Sequence, residues 1–305
     1  LPAHAVLLRT DADAGIAARY AQVAEACFAR LQSLLASRPA GRSLVQVVMS
    51  DDAASLPFGG LAGLLATAAQ ENPAVAGQLL RIDAALSLAE VVARLDAEAV
   101  ANPDPEVRLH AGGREVLRWR EIPAVEQAAD LPIREHGVYL ITGGLGGLGS
   151  LFARELLALS PACRVVLSGR GEADPDRLAA LRPADAPERL AYLRMDPAVA
   201  AQIDAAVADI LRMHGRLDGV LHCAGAIRDN FILRKTTDEL RTVFAPKVDG
   251  TANLDAATRD LPLDLFALFS SGVAAFGNPG QADYAAANGF MDGFAAWRNQ
   301  LAAQG

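Results

Sequence analysis

Lysine is nearly missing from this chain of 305 residues: of 28 basic residues only two, Lys235 and Lys247, are lysines, and the rest are arginine. Alanine fills roughly a fifth of the positions, well above average usage. The two biases together read as the mark of a GC-rich coding genome, which leaves open why lysine persists at two places. Lys247 gains a chemical role below; Lys235 reads as a solvated side chain. Positive charge is short as well, with 36 acidic residues and a net charge of −8. That excludes a general polyanion binder, so no nucleic-acid partner is expected. Three cysteines, Cys27, Cys163 and Cys223, are too scattered for a disulfide framework or a CxxC site and read as core thiols of a reducing cytoplasm. The five histidines show no metal-ligand spacing, so no metal is expected. Long apolar runs are also lacking. The charge-free stretches 53–70 and 265–282 are interrupted by Pro, Gly and Gln and read as buried elements, not membrane spans. No signal-peptide pattern opens the chain. A cytoplasmic protein without membrane contact is expected.

What is present is an alternation of strand and helix patterns. In the first half, apolar runs at 4–9, 44–49 and 78–82 predict buried strands, and 15–37, 58–70 and 86–98 predict helices. Residues 105–110 and 114–120 flank Ala111-Gly112-Gly113, a hairpin signal. Residues 121–136 lose all periodicity and carry two prolines, as a linker does. The second half predicts strands at 137–142, 164–168, 190–195, 218–223 and 263–270. Helices are predicted at 147–159, 198–214, 237–258 (in two pieces broken near Pro246) and 282–302. The pattern implies an α/β fold of two Rossmann-like subdomains with doubly wound parallel sheets, divided as 1–130 and 131–305.

The strongest local signal is a strand running into Thr142-Gly143-Gly144-Leu145-Gly146-Gly147-Leu148-Gly149 and then a helix. Glycines at 143, 146 and 149 let backbone N–H groups approach a pyrophosphate, and the helix start adds its positive dipole end. Thr142 and Leu148 belong to this cofactor loop. The next strand ends Ser168-Gly169-Arg170, where an NAD site would place a carboxylate. A cation there suits a 2′-phosphate, so NADPH is the expected cofactor. Asp196 could accept from the adenine amine or could cap the helix that follows. The corresponding turn of the first half holds Asp11 and Asp13, which would repel a phosphate, so that half is expected to be cofactor-free.

Phe269-Ser270-Ser271-Gly272 closes a strand, and Tyr284 stands thirteen residues after Ser271 in GQADYAAAN (280–288). A Ser at a strand end with a Tyr on the next helix resembles the short-chain dehydrogenase/reductase arrangement, in which Lys follows four residues after the Tyr. Here position 288 is Asn, and the Lys lies in APKVDG (245–250). That exchange resembles the ketoreductase domain of modular polyketide synthases. YLITGGLGGLG (139–149), LHCAGAIRDNFI (221–232), VFAPKVDGTANLDAAT (243–258) and GQADYAAANGFMDGF (280–294) are similar to the same family, in the same order. The resemblance implies that Tyr284 protonates the ketone oxygen and Ser271 hydrogen-bonds it. Lys247 would hold the nicotinamide ribose and favour the ionised phenol, while Asn288 orders a water or positions Lys247. Ala224 and Gly225 would border the cofactor. The implied substrate is a β-ketoacyl chain on the phosphopantetheine arm of an acyl carrier protein, with neighbouring synthase domains as partners.

Two further readings rest on this resemblance. Asp229 matches the last Asp of the Leu-Asp-Asp motif that marks B-type enzymes, although Ile227 and Arg228 depart from it; position 276 holds Phe where A-type enzymes carry Trp. A D-configured hydroxyl product is therefore expected. The family also continues beyond its Tyr-bearing helix with a strand, a lid and a last strand, so the second subdomain reads as truncated at its C-terminal end. That truncation motivates the alternative of a catalytically silent structural module, against which the intact catalytic set argues.

Overall fold

Buried apolar runs become strands and amphipathic stretches become the helices between them. The computed structural model describes residues 5–11, 13–38, 41–99, 103–123 and 131–304. In chain order the first elements are α1 (Ile16–Ala36), β1 (Ser43–Ser50), a tight 3₁₀ segment (Ala53–Gly60), α2 (Leu61–Glu71), β2 (Val75–Ile82), α3 (Leu88–Glu98), β3 (Glu106–His110) and β4 (Gly113–Val116). Next come β5 (Val138–Thr142), α4 (Gly147–Leu159), β6 (Arg164–Gly169), α5 (Pro175–Leu181), β7 (Leu190–Arg194), α6 (Ala200–His214) and β8 (Gly219–His222). The last are α7 (Thr237–Phe244), a wide π-type turn (Ala245–Asp249), α8 (Gly250–Thr258), β9 (Leu265–Leu268), α9 (Val273–Phe276) and α10 (Ala282–Ala303). No helix among the described residues is long and apolar enough to cross a membrane.

The chain divides into two compact units. One comprises residues 1–121, 227–244 and 270–305; the other comprises 122–226 and 245–269. This differs from the linear division at 130/131, of which residue 130 lies outside the described residues. Segments 227–244 and 270–305, expected in the second subdomain, pack with the first. The reason is local and steric. The Tyr20 hydroxyl of α1 donates to the Ala286 carbonyl of α10 at 2.7 Å, and its ring lies 4.8 Å from that of Phe290. Gly60 and Gly289 face one another so closely that a Cβ on Gly289 would stand 2.6 Å from the Gly60 Cα. Two glycines thus let α10 rest directly on the 3₁₀ segment.

The first unit's sheet runs β1-β2-β3-β4, with parallel pairing up to β3 and an antiparallel β3–β4 hairpin. The strand expected over 4–9 does not form. Residues 5–9 carry no strand, and Val6 and Leu7 are 64% and 63% exposed; residue 4 lies outside the described residues. An apolar run becomes a strand only where a neighbouring ladder covers it, and this one is left in solvent.

The second unit is a five-stranded parallel sheet in the order β7-β6-β5-β8-β9. Its three central strands, β6, β5 and β8, are buried on both faces, which explains their continuous apolar runs. Tyr139 and Ile141 point to a core shared with Ala153 and Leu156 of α4 and Leu178 of α5. Val138 and Leu140 point the other way, into a core with Ile203 and Ile210 of α6 and Leu254 of α8. The doubly wound expectation holds here, and the strand order reverses beside β5, where the glycine loop begins.

Candidate active site

In the second unit the loop after β5 opens α4 at Gly147, whose first turn has no acidic residue and no side-chain cap. Its leading N–H groups are therefore left for an anion. Gly143 has a positive φ of 63°, and a Cβ there would lie 2.9 Å from the Ala224 Cα. Gly149 is equally confined, since its Cβ would meet the Gly143 carbonyl oxygen at 2.5 Å. Gly146, Gly147 and Leu148 are exposed, and a Cβ on Gly147 would meet open space. A confined base with an open, uncapped rim fits a dinucleotide's pyrophosphate.

Around this loop a hydrogen-bond relay was not foreseen from the sequence. His222 at the end of β8 is fully buried, with Nδ1 2.6 Å from Thr142 Oγ1 and Nε2 2.8 Å from the Pro246 carbonyl oxygen. A carbonyl can only accept, so Nε2 carries the proton and Nδ1 accepts from the Thr142 hydroxyl. Thr142 Oγ1 in turn accepts from the Ala224 N–H at 3.3 Å. Burial, with the Lys247 charge as a smaller cause, holds the His222 pKa down at about 3, so the imidazole is neutral. Thr142, expected at the cofactor, thus spends its hydroxyl on the backbone that carries Ala224 and Gly225. A histidine inside a buried strand is the only signal of this relay in the sequence.

Lys247 sits in the π-type turn, is buried, and donates from Nζ to the Phe269 carbonyl at 3.1 Å. A Cβ on Gly225 would come within 3.2 Å of its Cε, so the glycine makes room for the lysine stem. Ser168 is buried with its Oγ unpartnered among the described residues. Arg170 is exposed, and its carbonyl accepts from Arg194 Nε at 3.1 Å. Arg194 therefore adds a second cation at this turn, and its other contact is an exposed pair with Glu172. Asp196 Oδ1 accepts from the Ala198 N–H at 3.0 Å, a local turn; the N-cap of α6 is Val199, so Asp196 does not cap that helix.

In the first unit Tyr284 lies in the first turn of α10 and Asn288 one turn further on. Asn288 is completely buried; its Nδ2 donates to the Tyr284 carbonyl at 2.7 Å, and its Oδ1 has no partner among the described residues. The Ser270 hydroxyl donates to the Asn288 carbonyl at 3.3 Å. Ser271 is half-buried, and its hydroxyl accepts weakly from the Val273 N–H at 3.4 Å. Asp229 is exposed and accepts from Gln281 Nε2 at 3.0 Å, a partner three residues before the tyrosine. The Phe276 ring lies 5.4 Å from that of Trp119. The expectation for Lys235 fails. It is 1% exposed and pairs with the equally buried Asp283 at 2.7 Å.

A family model described as KR domain matches residues 137–305. The chain belongs to this ketoreductase family. Polyketide synthase PksL of Bacillus subtilis is 40% identical over 276 residues, covering 89% of this chain and 6% of that protein. Polyketide synthase ThaG of Burkholderia thailandensis is 39% identical over 290 residues, covering 94% of this chain and 5% of that protein. A solved ketoreductase domain from the bacillaene assembly line matches with a TM-score of 0.89 at 36% identity, over 97% of this chain and 70% of that one. The KR domain thus spans a small fraction of its curated relatives. The resemblance and the α/β fold class expected from the motifs both hold.

Proposed function

We propose that this KR domain reduces a β-ketoacyl group to the β-hydroxyacyl group with NADPH during polyketide assembly. The substrate would be a thioester on the phosphopantetheine arm of an acyl carrier protein, presented by neighbouring synthase domains. The observation that carries this reading is the joint presence of Lys247, Ser271, Tyr284 and Asn288 in a chain of the ketoreductase family. NADPH, when bound, supplies a hydride for the ketone carbon.

This chain's residues do the rest. The loop at Gly143, Gly146 and Gly149 cradles the pyrophosphate, and Arg170 pairs with the 2′-phosphate, with Arg194 adding positive charge. Ser168, Asp196, Ala224 and Gly225 border the remainder. The Tyr284 hydroxyl gives its proton to the ketone oxygen as negative charge develops there, and Ser271 donates a second hydrogen bond to that oxygen. Lys247 holds the ribose and favours release of the tyrosine proton. The Asn288 Oδ1, buried and without a partner among the described residues, offers an acceptor for an ordered water that resupplies protons. The carbonyl thereby gains a hydride at carbon and a proton at oxygen. Asp229 directs a D-configured product, with Phe276 standing where A-type enzymes carry Trp. The three cysteines are free thiols, and burial pushes Cys27 up to about 11 and Cys223 up to about 12.

The test is NADPH consumption with a diketide β-ketothioester, with chiral analysis of the product. Saturable consumption yielding the D-hydroxyl supports the reading. Absence of saturable NADPH binding, followed by fluorescence, would contradict it and favour a silent module.

A further inference from the structure

The first unit holds a buried ion pair with no role in the chemistry above. The Lys235 ammonium donates to Asp283 Oδ2 at 2.7 Å and also, by a short contact, to the Arg228 carbonyl. Asp283 Oδ1 accepts from the Tyr284 N–H at 2.8 Å. One carboxylate is therefore shared between the proposed proton donor's own backbone and a lysine that grips the residue before Asp229.

The two segments are braced along their length. The Asn230 N–H donates to the Gly280 carbonyl at 2.9 Å, and Gln281 donates to Asp229. Glu71 accepts from the Ile232 N–H at 2.7 Å with one oxygen and from the Gly280 N–H at 2.9 Å with the other. Gln32 Nε2 of α1 donates to the carbonyls of Ile232 and Lys235 at 2.8 and 2.9 Å. Among these contacts, Lys235–Asp283 is the fully buried charge pair.

A buried pair is poor evidence of stability. The desolvation of two ions offsets much of their attraction, and well-packed apolar residues often replace such a pair without loss. What it supplies is register. Two ions buried from solvent accept few geometries, so the segment 228–235 and the start of α10 are held in one relative position.

We propose that Lys235 and Asp283 are positioning residues for the stereochemical outcome: the pair fixes the segment carrying Asp229 relative to the helix turn carrying Tyr284. This rests on the reductase reading of Tyr284 and Asp229. Neither residue touches the ketone; Asp283 acts through Tyr284, the next residue in sequence, and Lys235 acts through the Arg228 carbonyl, beside Asp229. Sequence alone hides the pair, because its members lie 48 residues apart.

The experiment uses the full chain with a diketide β-ketothioester and NADPH. The variant Lys235→Met/Asp283→Asn removes both charges and keeps an oxygen for the Tyr284 N–H; Lys235→Arg keeps the charge with a different reach. Melting temperature, NADPH affinity by fluorescence, kcat, KM and product chirality are measured for each. The expected result for the double variant is a folded protein with unchanged NADPH affinity, a kcat lowered by about tenfold or more and a mixed-configuration product. Lys235→Arg should lie between it and the parent, a grading that loss of stability alone would not give. If the double variant unfolds, Lys235→Arg decides alone: a parental D-to-L ratio overturns the proposal and an eroded ratio supports it. A folded double variant with the parental ratio and kcat overturns the positioning role and leaves the reductase reading intact. A parent that binds NADPH yet reduces no ketone overturns the reductase reading first, and the positioning role with it.

Discussion

His222 Nε2 lies 2.8 Å from the carbonyl oxygen of Pro246, which ties a buried neutral imidazole to the residue before Lys247. The folded-state pKa of His222, near 3, lies well below its ordinary 6.5. Between those values the unfolded chain binds more protons than the folded one, so stability falls as pH drops through the window. One such group costs about 2 kcal/mol between pH 6.5 and pH 5. His222→Gln should remove that share, so denaturant unfolding at pH 7 and pH 5 should differ by about 2 kcal/mol less than in the parent. An unchanged pH slope would show that the imidazole is not held neutral.

The contact between Gly60 and Gly289 predicts a steep steric cost. A Cβ on Gly60 would stand 2.4 Å from the Phe290 backbone nitrogen and 2.7 Å from the Ala286 carbonyl oxygen, neither of which can step aside. Gly60→Ala should therefore destabilise by about 1–3 kcal/mol through overpacking. Gly147→Ala, whose Cβ would meet nothing within 4 Å, should leave stability within about 0.5 kcal/mol. Urea unfolding of the two variants provides the check, and equal effects would contradict the close helix approach.

Arg170 follows β6 and Arg194 ends the neighbouring β7, and under the proposed function their two charges favour a 2′-phosphate. Arg170→Ala should weaken NADPH binding by roughly tenfold, the loss of one charge-assisted hydrogen bond, with little effect on NADH. Arg194→Ala should act in the same direction and more weakly. Fluorescence titration with both cofactors reads this directly; equal losses for the two would remove Arg170 from phosphate recognition.

Much of this arrangement was legible in the linear sequence because burial and periodicity are local properties. The runs VYLIT and RVVLSG are covered on both faces and form β5 and β6 where the pattern places them. Pro246 interrupts the helix over 237–258 at the π-type turn, as its missing N–H requires. The misses share one physical cause, which is contact between residues far apart in the chain. The apolar run over 4–9 had the composition of a strand but no ladder to join. The small residues Gly289 and Ala286 gave no hint that they meet Gly60 and Tyr20, over 200 residues away. The division of the chain followed those contacts rather than the linker. Lys235 looked solvated because lysine usually is, and only the folded chain brings Asp283 to it. Ser271, Tyr284, Asn288 and Lys247 were assigned through the family's motif spacing; His222 and Gln281 lie within the same family-like stretches, but the contacts by which they hold their neighbours are not encoded in that spacing.

In the proposed function Tyr284 delivers the proton to a ketone reduced by NADPH. Steady-state reduction of a diketide β-ketothioester by the parent and by Tyr284→Phe tests it most directly, with NADPH affinity measured alongside. A loss of kcat of about 10²–10⁴-fold is expected in the phenylalanine variant, at unchanged NADPH affinity and melting temperature. Full activity in that variant, still folded and still binding NADPH, would contradict it.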